Sequence, residues 1–83
     1  MTAEVYILIV AKYGKKKEVS KKLLAYNKVD DVHELYGQYD IIIKVKAESM
    51  AALEDFIQKS IRSLEDIEGT ETLVISDTPK EEA

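Results

Sequence analysis

Residues 5–11 read Val-Tyr-Ile-Leu-Ile-Val-Ala, a run apolar on both of its alternating faces. Strand side chains alternate with period two. Val5, Ile7, Ile9 and Ala11 therefore share one face, and Tyr6, Leu8 and Val10 share the other. A strand apolar on both faces needs cover on both. That demand falls on a chain of 83 residues with no cysteine. A chain this small buries only roughly 60–65% of its unfolded surface, and neither a disulfide nor a thiolate metal site can reinforce it. Small cores without such staples gain stability by associating.

The remaining pattern supplies cover for one face only. Tyr13-Gly14 ends the first strand. Lys15 to about Asn27 follows as a helix, with Val19, Leu23 and Tyr26 at helical spacing and lysines outward. Val29–Tyr36 reads as a polar second strand. Tyr39–Ala47 reads as a third, with Tyr39, Ile41, Ile43 and Val45 on one face. Ser49 is placed to cap a second helix, whose stripe of Met50, Leu53, Ile57, Ile61 and Leu64 runs to about Glu65 with Phe56 beside it. Thr70–Ser76 is a fourth strand, and the charged end after it reads as a loose tail.

The order βαββαβ is the ferredoxin-like α+β pattern, two crossover units around one hairpin. Four antiparallel strands carry two helices on one face. Tyr6, Leu8, Val10 and Ile42 fall on the opposite face, which is expected to pack against a second subunit. Residues 1–77 are expected to form a single domain and 78–83 a tail.

Composition narrows the function. A formal charge of −4 argues against direct binding of nucleic acid, which favours a basic surface. No apolar run approaches the ~20 residues of a membrane span, and the N-terminus lacks a basic leader, so a cytoplasmic location is expected. Catalytic chemistry finds little footing. His33, the only histidine, sits on a polar strand without a nucleophile motif nearby, and Asp30 and Asp31 are adjacent, so they do not share a strand face for paired acid–base work. Lys15-Lys16-Lys17 reads as a solvated helix start, and Glu65, Asp66 and Glu68 lack the ligand spacing of a calcium loop. No catalytic residue, metal site or cofactor is expected.

Two features remain. Tyr36-Gly37-Gln38-Tyr39-Asp40 is expected to be a hairpin tip, with Gly37 suited to a two-residue type II′ turn. Thr70 and Thr72 share a face at the start of the last strand. Asp40 is suited to a ligand ammonium, and the two hydroxyls or backbone N–H groups to a carboxylate. The same residues also read as a plain turn followed by a β-favouring threonine pair.

Here the chain resembles the ligand-binding (RAM) domain of the Lrp/AsnC, or feast/famine, transcription regulators. The likeness runs from about Val5 to Ser76. It rests on Gly37-Gln38-Tyr39-Asp40-Ile41-Ile42, on Met50-x-x-Leu53-x-x-Phe56-Ile57, and on Thr70-x-Thr72-Leu73-Val74. The resemblance implies a homodimer of sheets packed face to face, assembled into octamers or decamers that hold free amino acids in clefts between dimers. By position it implies that Gly37 allows close backbone approach, Asp40 meets the ammonium, Thr70 and Thr72 offer hydroxyls, and Tyr36, Gln38 and Tyr39 shape the pocket. Tyr36 stands where many members carry threonine, and Glu65-Asp66-Ile67 where many carry Pro-Gly-Val. The first strand starts near residue 4, so the helix-turn-helix of the full regulators is not expected, and a full-length regulator is an expected partner. The reading is a non-enzymatic amino-acid sensor or modulator. Its rivals are a small dimeric α+β barrel enzyme and an oligomerisation module without ligand.

Overall fold

The structure, a computed structural model, describes residues 2–75. Its elements are β1 (Ala3–Ala11), α1 (Lys16–Leu24), β2 (Val29–Glu34), β3 (Ile41–Ala47), α2 (Met50–Phe56), a π-helical turn (Ile57–Ile61) continuing α2, and β4 (Ile67–Val74). The four strands form one antiparallel sheet in the order β2-β3-β1-β4. This is the expected ferredoxin-like arrangement.

The two-faced first strand lies in the middle of the sheet. Ile7 stands opposite Ile43 on one side and Thr72 on the other, and Leu8 stands opposite Ile42 and Glu71. The helices lie on the Ile7 face. Val5, Ile7, Ile9, Ile41, Ile43 and Val45 are sealed there by Val19, Leu23, Leu53, Ile57 and Ile61. Tyr26 and Phe56 join the helices edge to face, with ring centroids 5.3 Å apart. Ser49 caps α2 as expected, its hydroxyl accepting from the Ala52 N–H at 3.1 Å.

Several expected boundaries move. The first helix ends at Leu24, three residues before Asn27, where Ala25 and Tyr26 close tight i→i−3 bonds to Lys22 and Leu23. The second helix does not run to Glu65: it widens into the π turn over Ile57–Ile61, and Met50, expected in the buried stripe, is 42% exposed. β4 begins at Ile67 rather than Thr70, because Ala11 pairs with Ile67 across a bulge after Val10. Ser76 and the expected tail lie outside the described residues.

The largest departure is the hairpin. The last β2–β3 pair is Glu34 with Ile41, so the connection is residues 35–40, not a two-residue type II′ turn. The Leu35 N–H donates to the Asp40 carbonyl at 2.7 Å and closes this loop. Asp40 is also drawn to β1, since its own N–H donates to the Ile9 carbonyl at 2.9 Å. β1 therefore holds the end of the loop.

Candidate functional site

Asp40 is bound twice to β1. Besides its N–H, its carboxylate Oδ2 accepts from the Ala11 N–H at 2.9 Å. The side chain replaces a backbone carbonyl where the β1–β3 ladder runs out. The carboxylate is half-buried and borders an open cleft of about 700 Å³ walled by the β1–α1 connection, with Lys12 and Gly14, and by the start of α1, with Lys16.

The loop above it is braced from α1. Lys16 Nζ donates to the Leu35 carbonyl at 2.9 Å and sits 4.8 Å from the centroid of the Tyr36 ring. The solvated helix start expected from Lys15-Lys16-Lys17 is therefore corrected at Lys16, which ties helix to loop. Tyr36 is fully exposed, and Gly37 has φ +130, a region that disfavours side chains. Among the described residues, the N–H groups of Tyr36, Gly37, Gln38 and Tyr39 form no backbone hydrogen bond. Unpartnered donors beside a carboxylate can receive the two ends of a small zwitterion.

Tyr39 corrects another expectation. It does not lie with Ile41, Ile43 and Val45. Its hydroxyl donates to Glu71 of β4, whose cross-strand partner is Leu8, so the tyrosine crosses the face away from the helices. The bond to the Glu71 carboxylate, with lesser contributions from desolvation and the glutamate charge, raises the Tyr39 pKa above the ordinary tyrosine value. Glu71 was only the spacer of the Thr-x-Thr pattern. Period-two alternation, which sets it on the opposite face from Thr70 and Thr72, is the signal that could have singled it out.

The threonines take the helix-covered face, Thr70 opposite Ile9 and Thr72 opposite Ile7. Thr70 is half-buried and Thr72 exposed. Within one protomer β1 separates them from Asp40, a span of two strand spacings, about 10 Å. Thr72 borders a different cleft, about 270 Å³, between β4 and α2. In one chain Tyr36, Gly37, Gln38, Tyr39 and Asp40 share one loop, but the cleft at Asp40 is lined by none of residues 36–39, Tyr39 turns away to Glu71, and the threonine pair lies apart.

Tyr6, Leu8, Val10 and Ile42 do share the face away from the helices. Leu73, opposite Tyr6, joins them and was not singled out in the sequence. Tyr6 and Leu73 are 37% and 43% exposed. Lys44 lies 5.9 Å from the Tyr6 ring centroid and pairs with Glu4 at 3.7 Å, giving this face a charged margin. His33 lies on the same face, opposite Ile42. Among the described residues no group of three side chains could hold a metal ion, and no helix is long and apolar enough to cross a membrane.

The sequence model of the Lrp/AsnC ligand binding domain matches residues 4–83. The HTH-type transcriptional regulator FL11 of Pyrococcus furiosus is 36% identical over 76 residues, which are 92% of this chain and 50% of that protein. The chain spans about half the length of the curated relatives it matches first. Escherichia coli AsnC superposes with a TM-score of 0.86 at 27% identity, over 98% of this chain and 55% of that one. The Neisseria meningitidis regulator NMB0573, solved as its L-Met complex, shares the fold alone, with a TM-score of 0.83 at 14% identity over 95% and 53% of the two chains. A match along nearly the whole sequence, over a sheet and helices that superpose on AsnC, places the chain in the family of Lrp/AsnC ligand-binding domains of transcription regulators.

Proposed function

We propose that this domain binds a free amino acid and couples its occupancy to self-assembly, as a non-enzymatic sensor or modulator of transcription in the cytoplasm. The observation that carries the reading is the loop at residues 35–40. It is fixed to β1 through Asp40 and to α1 through Lys16, while the N–H groups of residues 36–39 stay unpartnered. A rigid loop loses little entropy on binding. Asp40 receives the ammonium, the N–H groups receive the carboxylate, and Tyr36, Gln38 and Tyr39 flank the ligand. Thr70 and Thr72, separated from Asp40 by β1 within one chain, contribute from a neighbouring protomer in an octamer or decamer of dimers. The dimer forms through Tyr6, Leu8, Val10, Ile42 and Leu73. That the Neisseria relative was solved with L-methionine supports the ligand class. A full-length regulator of the family is a further partner through the same surfaces.

Binding shifts assembly only if the ligand prefers one assembly state. Light scattering with and without the twenty amino acids tests this directly. A ring-sized mass that responds to one subset supports the sensor. A dimer indifferent to all twenty leaves an oligomerisation module, a reading favoured by the prior commitment of Asp40 Oδ2 to the Ala11 N–H.

A further inference from the structure

One row of side chains crosses the open face of the sheet from edge to edge: His33 on β2, Ile42 on β3, Leu8 on β1 and Glu71 on β4. Its centre is apolar and its two ends are ionisable. Neighbouring strands lie about 4.8 Å apart, so His33 and Glu71 stand about 14 Å from each other. Both are exposed. Among the described residues neither has an ion-pair partner. Glu71 is nevertheless held in place, because the Tyr39 hydroxyl donates to its carboxylate. That carboxylate keeps lone pairs for a second donor.

Two identical faces that pack on each other are related by a two-fold axis lying between them. In aligned packing the strands of the two sheets stay within about 30°, and the axis has two choices. An axis across the strands, along this row, sets each residue on its own copy. Glu71 then opposes the partner's Glu71, and His33 the partner's His33, so like charges meet. An axis along the strands, between β1 and β3, reverses the row instead. Ile42 then covers the partner's Leu8, and His33 covers the partner's Glu71, twice per dimer. Packed sheets lie about 10 Å apart, a gap that a histidine and a glutamate side chain span together. Within this row only the second choice brings opposite charges together.

We propose that two copies associate with the two-fold axis along the strands, so that His33 of each protomer meets the partner's Glu71, and that this pair makes the dimer tighter as pH falls. The inference rests on the dimer proposed above and adds its orientation and its response to pH. Imidazole gains its charge between about pH 8 and pH 5, and the cation then attracts the carboxylate across the interface. That attraction is present at low pH and is lost as pH rises through the histidine range. Other charges lie near His33. Asp31 is two residues away on the same strand face, and Lys44 is diagonal to it on β3, paired with Glu4. Lys17 and Glu34 pair on the helix-covered face. All belong to the same protomer as His33, so monomer and dimer share them. From across the interface, the partner's Tyr39 reaches the same carboxylate.

The chain has no cysteine, so introduced thiols read the orientation directly. In a chain carrying both His33→Cys and Glu71→Cys, the two thiols of one protomer cannot bridge, since a disulfide needs Cα atoms within about 7 Å. Mild oxidation is expected to give covalent dimers of this chain, and of a mixture of the two single variants, but not of either single variant alone. Fluorescence-detected sedimentation is expected to show the dimer dissociation constant of the native chain rising about fivefold or more from about pH 5.5 to about pH 8. His33→Gln and Glu71→Gln are each expected to flatten that dependence, and the two together to do no more than either alone. Covalent dimers from a single variant alone would overturn the proposal and leave dimerisation through this face intact. So would a dissociation constant in His33→Gln that follows pH as the native one does. A chain that stays monomeric at every concentration would remove the dimer and the pair together.

Discussion

The two faces of the sheet come from the same strands, and β1 lays apolar side chains on both, yet they end in different states. On one, Val5, Ile7, Ile9, Ile41 and Val45 are fully buried under two helices. On the other, Tyr6 and Leu73 remain more than a third exposed, and Leu8, Val10 and Ile42 are shielded only by their neighbours in the sheet. Hydrophobicity alone does not distinguish Ile7 from Leu8. The difference lies in what each face is given to pack against, and two helices suffice for one side of four strands. The first face is therefore the domain's core. The second stays open, and a contiguous apolar patch of this kind is the surface through which we propose that the domain dimerises.

The sharpest way to break this contrast is to truncate neighbours on β1. Ile9→Ala should cost about 2–5 kcal/mol, as large-to-small core changes do, and shift the denaturation midpoint at every protein concentration. Leu8→Ala, one residue away, should cost the isolated protomer far less. Leu8→Lys should instead lower the mass seen by light scattering while circular dichroism stays the same. If Leu8→Ala proves as costly as Ile9→Ala at low protein concentration, the two faces are not different in kind.

Asp40, where the loop meets β1, comes next. Asp40→Ala orphans the Ala11 N–H and should cost about 1–3 kcal/mol. Asp40→Asn keeps an oxygen for that N–H, so most of the stability should survive while amino-acid binding at the loop falls. Calorimetry on the two variants separates the structural duty from the binding duty, and unchanged affinity in Asp40→Asn would count against the ammonium role.

Ser20 should move stability the other way. It faces the helix-covered core at 6% exposure, and among the described residues its hydroxyl has no hydrogen-bond partner. Ser20→Ala removes that group and favours α1 through helix propensity, so a gain of about 0.5–1 kcal/mol is expected in a denaturant titration.

The smallest effect belongs to the open face. The Tyr39 pKa is raised in the folded chain, so the stabilisation from its bond to Glu71 is complete below the ordinary tyrosine value and is lost as pH rises through the raised one. An ultraviolet titration should show Tyr39 ionising above the ordinary tyrosine value, and Glu71→Gln should bring it back toward that value. Global stability should change little, because the pair is exposed.

Much of this architecture was legible in the chain. Period-two and helical spacing named the covered core almost residue by residue, the Ser49 cap was readable, and the face carrying Tyr6, Leu8, Val10 and Ile42 followed from alternation alone. These are local rules, and the structure obeys them because each residue's direction is set within its own element. What tertiary structure decided involves residues distant in sequence. Asp40 belongs to β1 because Ala11, twenty-nine positions earlier, leaves an N–H to satisfy at the end of a ladder. Tyr39 turns to the open face because Glu71 waits there. Thr72 lies apart from the loop because β1 runs between β3 and β4, an ordering that no local pattern encodes. The sequence alone determined which side chains share a face; only the packed chain decided which faces, loops and charges meet, because those meetings depend on strand order and on backbone groups left without partners.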